Sequence, residues 1–212
     1  MTRTILWDVD TQADFMLPEG KLYVPGAETL RPAMARLVEA ARAAGIVHVA
    51  SADDHELTDP EISDEPDFEH TYPPHCLRGT PGAERVPETK QIDPLPLSEQ
   101  ALPAGRLAKL SAGQREILIL KKRFDVFTNP STEALIELLD PEEIVLFGVA
   151  TDVCDDAAIQ GMLRLGRGVR FVEDAACGLD PTRVERCLAQ WREQGVAFAS
   201  SDEVVSDFAA AI

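Results

Sequence analysis

Cys154 stands in the stretch Gly148-Val149-Ala150-Thr151-Asp152-Val153-Cys154-Asp155-Asp156, just inside a predicted helix. Free backbone N–H groups and the helix dipole at such a place favour a thiolate. The same N–H groups can hold an oxyanion during attack on a carbonyl. The charges of Asp152, Asp155 and Asp156 oppose thiolate formation, so a cation is needed nearby, and Lys121 is the candidate. The plain alternative for Cys154 is a buried structural cysteine, the expected state of Cys76, Cys177 and Cys187. Asp10 is suited to accept a thiol proton or to pair with Lys121, with Asp8 as its competitor and a turn cap as its ordinary role. Asp53-x-His55 followed by His75 offers one carboxylate and two imidazoles. That donor set suits Zn²⁺, Fe²⁺ or Mn²⁺ with positions left for water or substrate. Any one of these histidines alone would be read as satisfied or exposed, and His48, inside IVHVA, is expected to be structural.

The elements that must position these residues are legible as short apolar runs, most of them followed by helical patterns. Strands are predicted at Thr4 to Val9, Ile46 to Ala52, Glu116 to Leu120, Glu143 to Val149, Val169 to Val172 and Val196 to Ala199. Helices are predicted at Ala27 to Ala44, Thr132 to Leu139, about Asp152 to Leu165, Pro181 to Gln194 and Asp202 to Ala210. Near-continuous apolar strands alternating with helices imply an α/β three-layer sandwich, with a mainly parallel sheet of roughly six strands flanked by helices. The 212 residues are expected to form a single domain, 1–212, with an irregular, lid-like insertion over about 53–111. Sites in such sheets form at the carboxyl ends of strands near the switch in strand order. Asp8 and Asp10, Asp53 to His55, Lys121 and Lys122, and Thr151 to Cys154 all lie just past strand ends, so one rim collects them.

Composition narrows the functional classes. Lys and Arg number 20 against 37 Asp and Glu, a formal net charge of -17. A nucleic-acid partner is therefore not expected, since phosphate contacts need a basic stripe, nor is docking on anionic lipid. Nine acids lie between Asp53 and Glu69, and no Lys or Arg lies between Arg42 and Arg78. That stretch is either a solvated face or a cation site. No window has the length of a membrane-spanning helix, and the opening MTRTILWDVD is too short an apolar run for a signal peptide. Four cysteines without Cys-x-x-Cys spacing suggest reduced thiols and a cytoplasmic location.

Assembled, these motifs resemble the isochorismatase-like cysteine hydrolases, and among them the nicotinamidases. Asp10-Thr11-Gln12-Ala13-Asp14-Phe15 is similar to the family's Asp-x-Gln-Asn-Asp-Phe. Lys121-Lys122-Arg123-Phe124-Asp125-Val126-Phe127 resembles its lysine segment, and Gly148 to Cys154 its nucleophile motif. The resemblance implies a catalytic trio of Asp10, Lys121 and Cys154, and a cis peptide at Val149–Ala150. It also implies an oxyanion hole from the Ala150 and Cys154 N–H groups. Asp53-x-His55 and Tyr72-Pro73-Pro74-His75-Cys76, then Gly79-Thr80-Pro81-Gly82-Ala83, resemble the nicotinamidase metal site and the segment after it. This implies a divalent ion, zinc or iron, on Asp53, His55 and His75, with Glu61, Asp64, Asp67 or water as a further ligand. Phe15 and Tyr72 would sandwich a substrate ring, although many members carry Trp where Tyr72 stands.

The implied reaction is hydrolysis of a small carboxamide, nicotinamide to nicotinate and ammonia, through a thioester. A homo-oligomer is compatible with the resemblance. Two departures stand out: Ala13 replaces the Asn of the first motif, and Asp155-Asp156-Ala157-Ala158 replaces the usual Val-x-x-Thr after the nucleophile. The alternatives are a hydrolase acting on another small amide or vinyl ether, and a non-catalytic binding protein that keeps the fold.

Overall fold

The computed structural model describes residues 3–210. Its centre is one parallel sheet of seven strands: β1 Thr4–Val9, β2 Val47–Asp53, β3 Leu95–Leu97, β4 Glu116–Lys121, β5 Glu143–Val149, β6 Gly168–Cys177 and β7 Ala197–Ala199. They lie in the order β3-β4-β2-β1-β5-β6-β7, and every pairing is parallel. The helices are α1 Ala13–Met16, α2 Arg31–Ala43, α3 Ala104–Ser111, α4 Thr132–Leu139, α5 Asp156–Arg164, α6 Pro181–Glu193 and α7 Ser201–Ala210. β1 and β5 are buried along almost their whole length, as strands covered on both faces must be. The core gathers Leu6, Trp7, Val49, Ile117, Leu146 and Phe147 from the sheet with Met34, Leu37 and Ile159 from the helices. No helix among the described residues is long and apolar enough to cross a membrane.

The sheet has one strand more than the six predicted. The addition, Leu95-Pro96-Leu97, lies within the segment read as irregular. Its proline removes a ladder donor, which an edge strand tolerates and a central one does not; β3 is an edge strand. The same segment ends in α3, so the insertion is not wholly irregular. The helix predicted from Ala27 opens as a 3-10 turn over Ala27–Leu30 and becomes α-helical only at Arg31-Pro32, where proline suits a first turn. The helix predicted from Asp152 begins as a wide π turn, Thr151–Asp155, ahead of α5. β6 runs on past Val172 to Cys177, with a shift in register against β5 between Leu146 and Gly148. Asp174 lies within β6 and accepts bonds from the Ser201 N–H and hydroxyl at the start of α7.

The chain passes from β1 to β2 beside it, to the edge strand β3 and back to β4 between them, then crosses to β5, β6 and β7 on the other side. The switch falls between β1 and β5. At that switch Gly148 sits beside Val9 with φ of +140°, and a Cβ there would lie 2.2 Å from the Val9 carbonyl oxygen. Only glycine lets the two strands approach this closely.

Candidate active site

The strand ends around the switch converge on one cleft. Asp10 follows β1 with φ of +51°, a left-handed conformation that Asp tolerates better than most residues. Its N–H donates to the Ser51 carbonyl at 3.2 Å and its Oδ1 accepts from the Ser51 hydroxyl at 2.7 Å. Lys121, the last residue of β4, reaches across: its Nζ lies 2.9 Å from Asp10 Oδ2, 2.5 Å from Asp53 Oδ1 and 3.9 Å from Cys154 Sγ. Cys154 is the fourth residue of the wide turn, and the Val149–Ala150 peptide before it is cis. Asp10, Lys121 and Cys154 are all buried. Asp8, the competitor of Asp10, is occupied elsewhere: it takes bonds from Thr11 and Arg85 and faces His48 at 3.4 Å. His48 is accordingly a buried structural residue.

The electrostatics of the trio are set by burial and by one lysine. Burial lowers the affinity of Lys121 for its proton, but Asp10 and Asp53 outweigh it and hold the ammonium well above its usual range. Burial pushes the Asp10 carboxyl up, Lys121 pulls it back, and the neighbouring Asp53 charge adds to the rise. The Cys154 thiol is pushed well above its usual value by burial, with Lys121 opposing and Asp10, Asp53 and Glu61 reinforcing. The acids that bear on the thiol are therefore not its sequence neighbours. Asp152 is held by the N–H groups of Leu179 and Asp180 at 2.8 and 3.1 Å, and Asp156 by the Trp191 indole at 2.8 Å.

Beside the trio lies a second group. Asp53, His55, Glu61 and His75 each present a ligand atom, all within 4.8 Å of one another, and all four are buried. His75 donates from Nδ1 to the Pro73 carbonyl at 2.7 Å, which turns Nε2 toward the cluster, 3.4 Å from Asp53. Both ring nitrogens of His55 lack a hydrogen-bond partner; Nε2 faces Asp53 at 3.7 Å and Glu61 at 3.8 Å, and Nδ1 faces Asp59 at 3.4 Å. Orphaned imidazole nitrogens between two buried carboxylates fit a bound divalent cation. Two nitrogens and two oxygens suit a first-row ion such as Zn²⁺ or Fe²⁺. Of the three acids considered as extra ligands, Glu61 lies in the cluster, fixed by the Phe124 N–H on its Oε2 at 2.6 Å. Asp64 and Asp67 are exposed.

Several residues that spacing did not single out hold this geometry. Gln12 clamps the Asp53 backbone, its Oε1 accepting the Asp53 N–H at 2.7 Å and its Nε2 donating to the Asp53 carbonyl at 2.8 Å. Asp14 accepts the Cys76 N–H at 2.7 Å and so anchors the residue after His75. Lys122 ties the loop through the Asp54 carbonyl and Asp59. Gln12 and Asp14 belong to the first motif, so a signal for them was present; Asp59 had none beyond the acidic run. The cleft is lined by Asp53, Glu61, His75, Ala150 and Cys154 together with Phe15, Tyr72 and other apolar side chains, among them Leu22, Val24 and Phe124. The Phe15 ring lies tilted and the Tyr72 ring edge-on to His75, at centroid distances of 5.3 and 6.2 Å.

A parallel sheet with an acid, a lysine and a thiol at its switch point defines the class, and comparison gives the family. A family model described as the isochorismatase domain matches residues 4–95 and 98–203; the chain belongs to the isochorismatase family. It is 28% identical over 199 residues to the nicotinamidase/pyrazinamidase of Mycobacterium tuberculosis (strain ATCC 25618 / H37Rv), spanning 91% of this chain and 96% of that protein. The pyrazinamidase of Pyrococcus horikoshii, solved in complex with zinc, superposes with a TM-score of 0.75 at 23% identity, covering 93% of this chain and 99% of its own. An isochorismatase family protein from Desulfovibrio vulgaris subsp. vulgaris str. Hildenborough gives 0.77 at 21% identity, covering 99% and 100%. Both likenesses establish the fold.

Proposed function

We propose that this chain is a metal-assisted cysteine amidohydrolase whose substrate is a small heteroaromatic carboxamide, nicotinamide first among them. One observation carries the reading. Lys121 joins Asp10, Asp53 and the Cys154 thiol, and the nucleophile opens on one cleft with three of the four cluster residues, Asp53, Glu61 and His75. A fold alone needs no such link.

In this reading Asp10 takes the proton of Cys154 as the sulfur bonds to the amide carbon, and the carbonyl electron pair moves onto oxygen. The Ala150 and Cys154 N–H groups stabilise that oxygen. The carbonyl re-forms, the C–N bond breaks, and the proton on Asp10 goes to the departing ammonia. Water then adds to the thioester, giving its proton to Asp10, and the acid leaves with return of the thiol. Lys121 keeps Asp10 ionised between these transfers. Asp53, His55, Glu61 and His75 would hold a zinc or iron ion, which when bound supplies a Lewis-acidic anchor for a ring nitrogen. Phe15 and Tyr72 would flank the ring.

The test is ammonia release from nicotinamide, pyrazinamide and aliphatic amides, with and without a chelator, alongside metal analysis of the purified protein. Release from the pyridine and pyrazine carboxamides that falls on chelation supports the reading. Release from aliphatic amides only, with no bound metal, transfers the chain to another small-amide hydrolase of the family.

A further inference from the structure

Tyr72 carries a group that the proposed reaction does not use. Its backbone is fixed on both sides, the N–H donating to the Glu61 carbonyl at 2.8 Å and the carbonyl accepting from Ser63 at 2.9 Å. Its ring packs edge-on against His75 and Phe68. The residue is only 3% exposed, yet its hydroxyl is not one of the buried polar atoms left without a partner among the described residues; with no protein group bonded to it, it opens on the cleft. A phenol O–H so placed is free to bond what enters the cleft. This one belongs to the wall of the cleft that also holds Ala150 and Cys154.

Apart from Asp53, Glu61 and His75, the wall around the thiol is apolar, with Val153, Leu179, Leu22 and Val24 prominent. An oxygen that turns negative in such a place needs donors fixed in advance. We propose that the Tyr72 hydroxyl is a further donor to the substrate oxygen that becomes negative when the Cys154 sulfur adds to the carbonyl. The S–C bond forms, the carbonyl electron pair moves to oxygen, and the phenol keeps its proton while donating a hydrogen bond. Tyr72 thereby serves the transition state as well as flanking the ring, and it makes the cleft selective for carbonyls that pass through a tetrahedral oxyanion. This rests on Cys154 being the nucleophile and is separable from the identity of the amide.

The experiment compares wild type with Tyr72→Phe, which keeps the ring and removes only the hydroxyl. Steady-state turnover of nicotinamide is read alongside binding of pyridine-3-carboxaldehyde, whose addition to Cys154 gives a tetrahedral thiohemiacetal. Binding of planar nicotinate is the control. Removing one oxyanion donor costs on the order of 100-fold in turnover. We expect a 10- to 100-fold loss of kcat (about one to two decades), KM within about threefold, a parallel loss of aldehyde affinity, and unchanged nicotinate binding. Unchanged aldehyde affinity, or a change confined to KM, overturns the assignment. Absence of amide turnover with aldehyde binding that still weakens in Tyr72→Phe overturns the amidase reading and supports this one. Absence of any aldehyde adduct on Cys154 overturns both.

Discussion

The rim of strand ends and the loop spanning residues 54–94 close on the cleft from two sides and are held by different forces. Asp10 and Lys121 are carried at the ends of β1 and β4, and Cys154 comes one turn after β5. These are central strands whose ladders run through the core, so the relative placement of the trio is fixed by the part of the molecule that opens last. The loop has no ladder of its own beyond isolated bridges at His55 with Leu77 and Ile62 with Tyr72. Its ligands are held by side-chain clamps, from Gln12, Asp14 and Lys122. Asp53 belongs to both regions, as the end of β2 and as a member of the cluster. Chemistry that tolerates no displacement sits on the sheet, and binding of a cation, which can itself organise its ligands, sits on the loop.

The sharpest way to break this division is to remove the trio one group at a time. Cys154→Ala should abolish ammonia release, and Asp10→Asn should lower it by at least ~10³-fold. Neither variant should lose bound metal, as metal analysis can show. Loss of metal from Cys154→Ala would mean that the two regions are one unit. A smaller effect is expected from the loop side. His55→Ala removes one of two imidazoles, and we expect metal affinity and kcat/KM to fall roughly 100-fold. Added zinc should raise the Tm of wild type by mass action and of His55→Ala far less; equal shifts in the two proteins would place the ion elsewhere.

The same division explains how much of the molecule is legible in its sequence. Strand positions are legible because a strand buried on both faces is a continuous apolar run, as in TILWDV and EIVLFGV, and the rim is then a consequence of connectivity. β3 is illegible because Pro96 argues against a strand unless its place at the edge is known. Within the acidic stretch there is no period to read, so Glu61 cannot be told from Asp64 or Asp67. What separates them is the Phe124 N–H and the Ile62–Tyr72 bridge, both contacts with residues outside the run. The electrostatics of Cys154 are hidden for a related reason. Proximity in sequence points to Asp152, Asp155 and Asp156, whereas the folded chain brings Asp10, Asp53 and Glu61 to the thiol.

Asp155 offers a subtler test on the rim side. It is fully buried, and neither carboxylate oxygen has a well-formed hydrogen bond. Burial pushes its carboxyl well above the usual range, the Asp10 charge adds to this, and the Thr151 hydroxyl is the neighbour that opposes it. The folded value thus lies above the unfolded one. The folded state binds the extra proton, so stability is full below about pH 4, the unfolded value, and declines as pH rises toward the folded value. Asp155→Val removes that decline. In thermal melts it should equal wild type near pH 4 and exceed it by about 1–3 kcal/mol at neutral pH. A gain that does not depend on pH would assign the effect to packing instead.

The smallest effect is expected where the loop faces solvent. Asp67 accepts the N–H groups of Glu69, His70 and Thr71 at 2.8 to 2.9 Å, and these bonds hold its carboxyl well below the usual carboxylate range. Its work is to close a turn. Asp64 is likewise exposed. Replacing both with alanine removes two charges from the most acidic stretch of the chain while leaving the four cluster residues in place. If the acidic run acts as a diffuse cation sink, metal affinity should fall with its charge, and more steeply at low salt. If the cation is held by the buried four, stoichiometry and affinity should stay within about twofold, because exposed charges contribute little through screened solvent. We expect the second outcome, together with faster proteolytic nicking between residues 63 and 71 as the turn loosens.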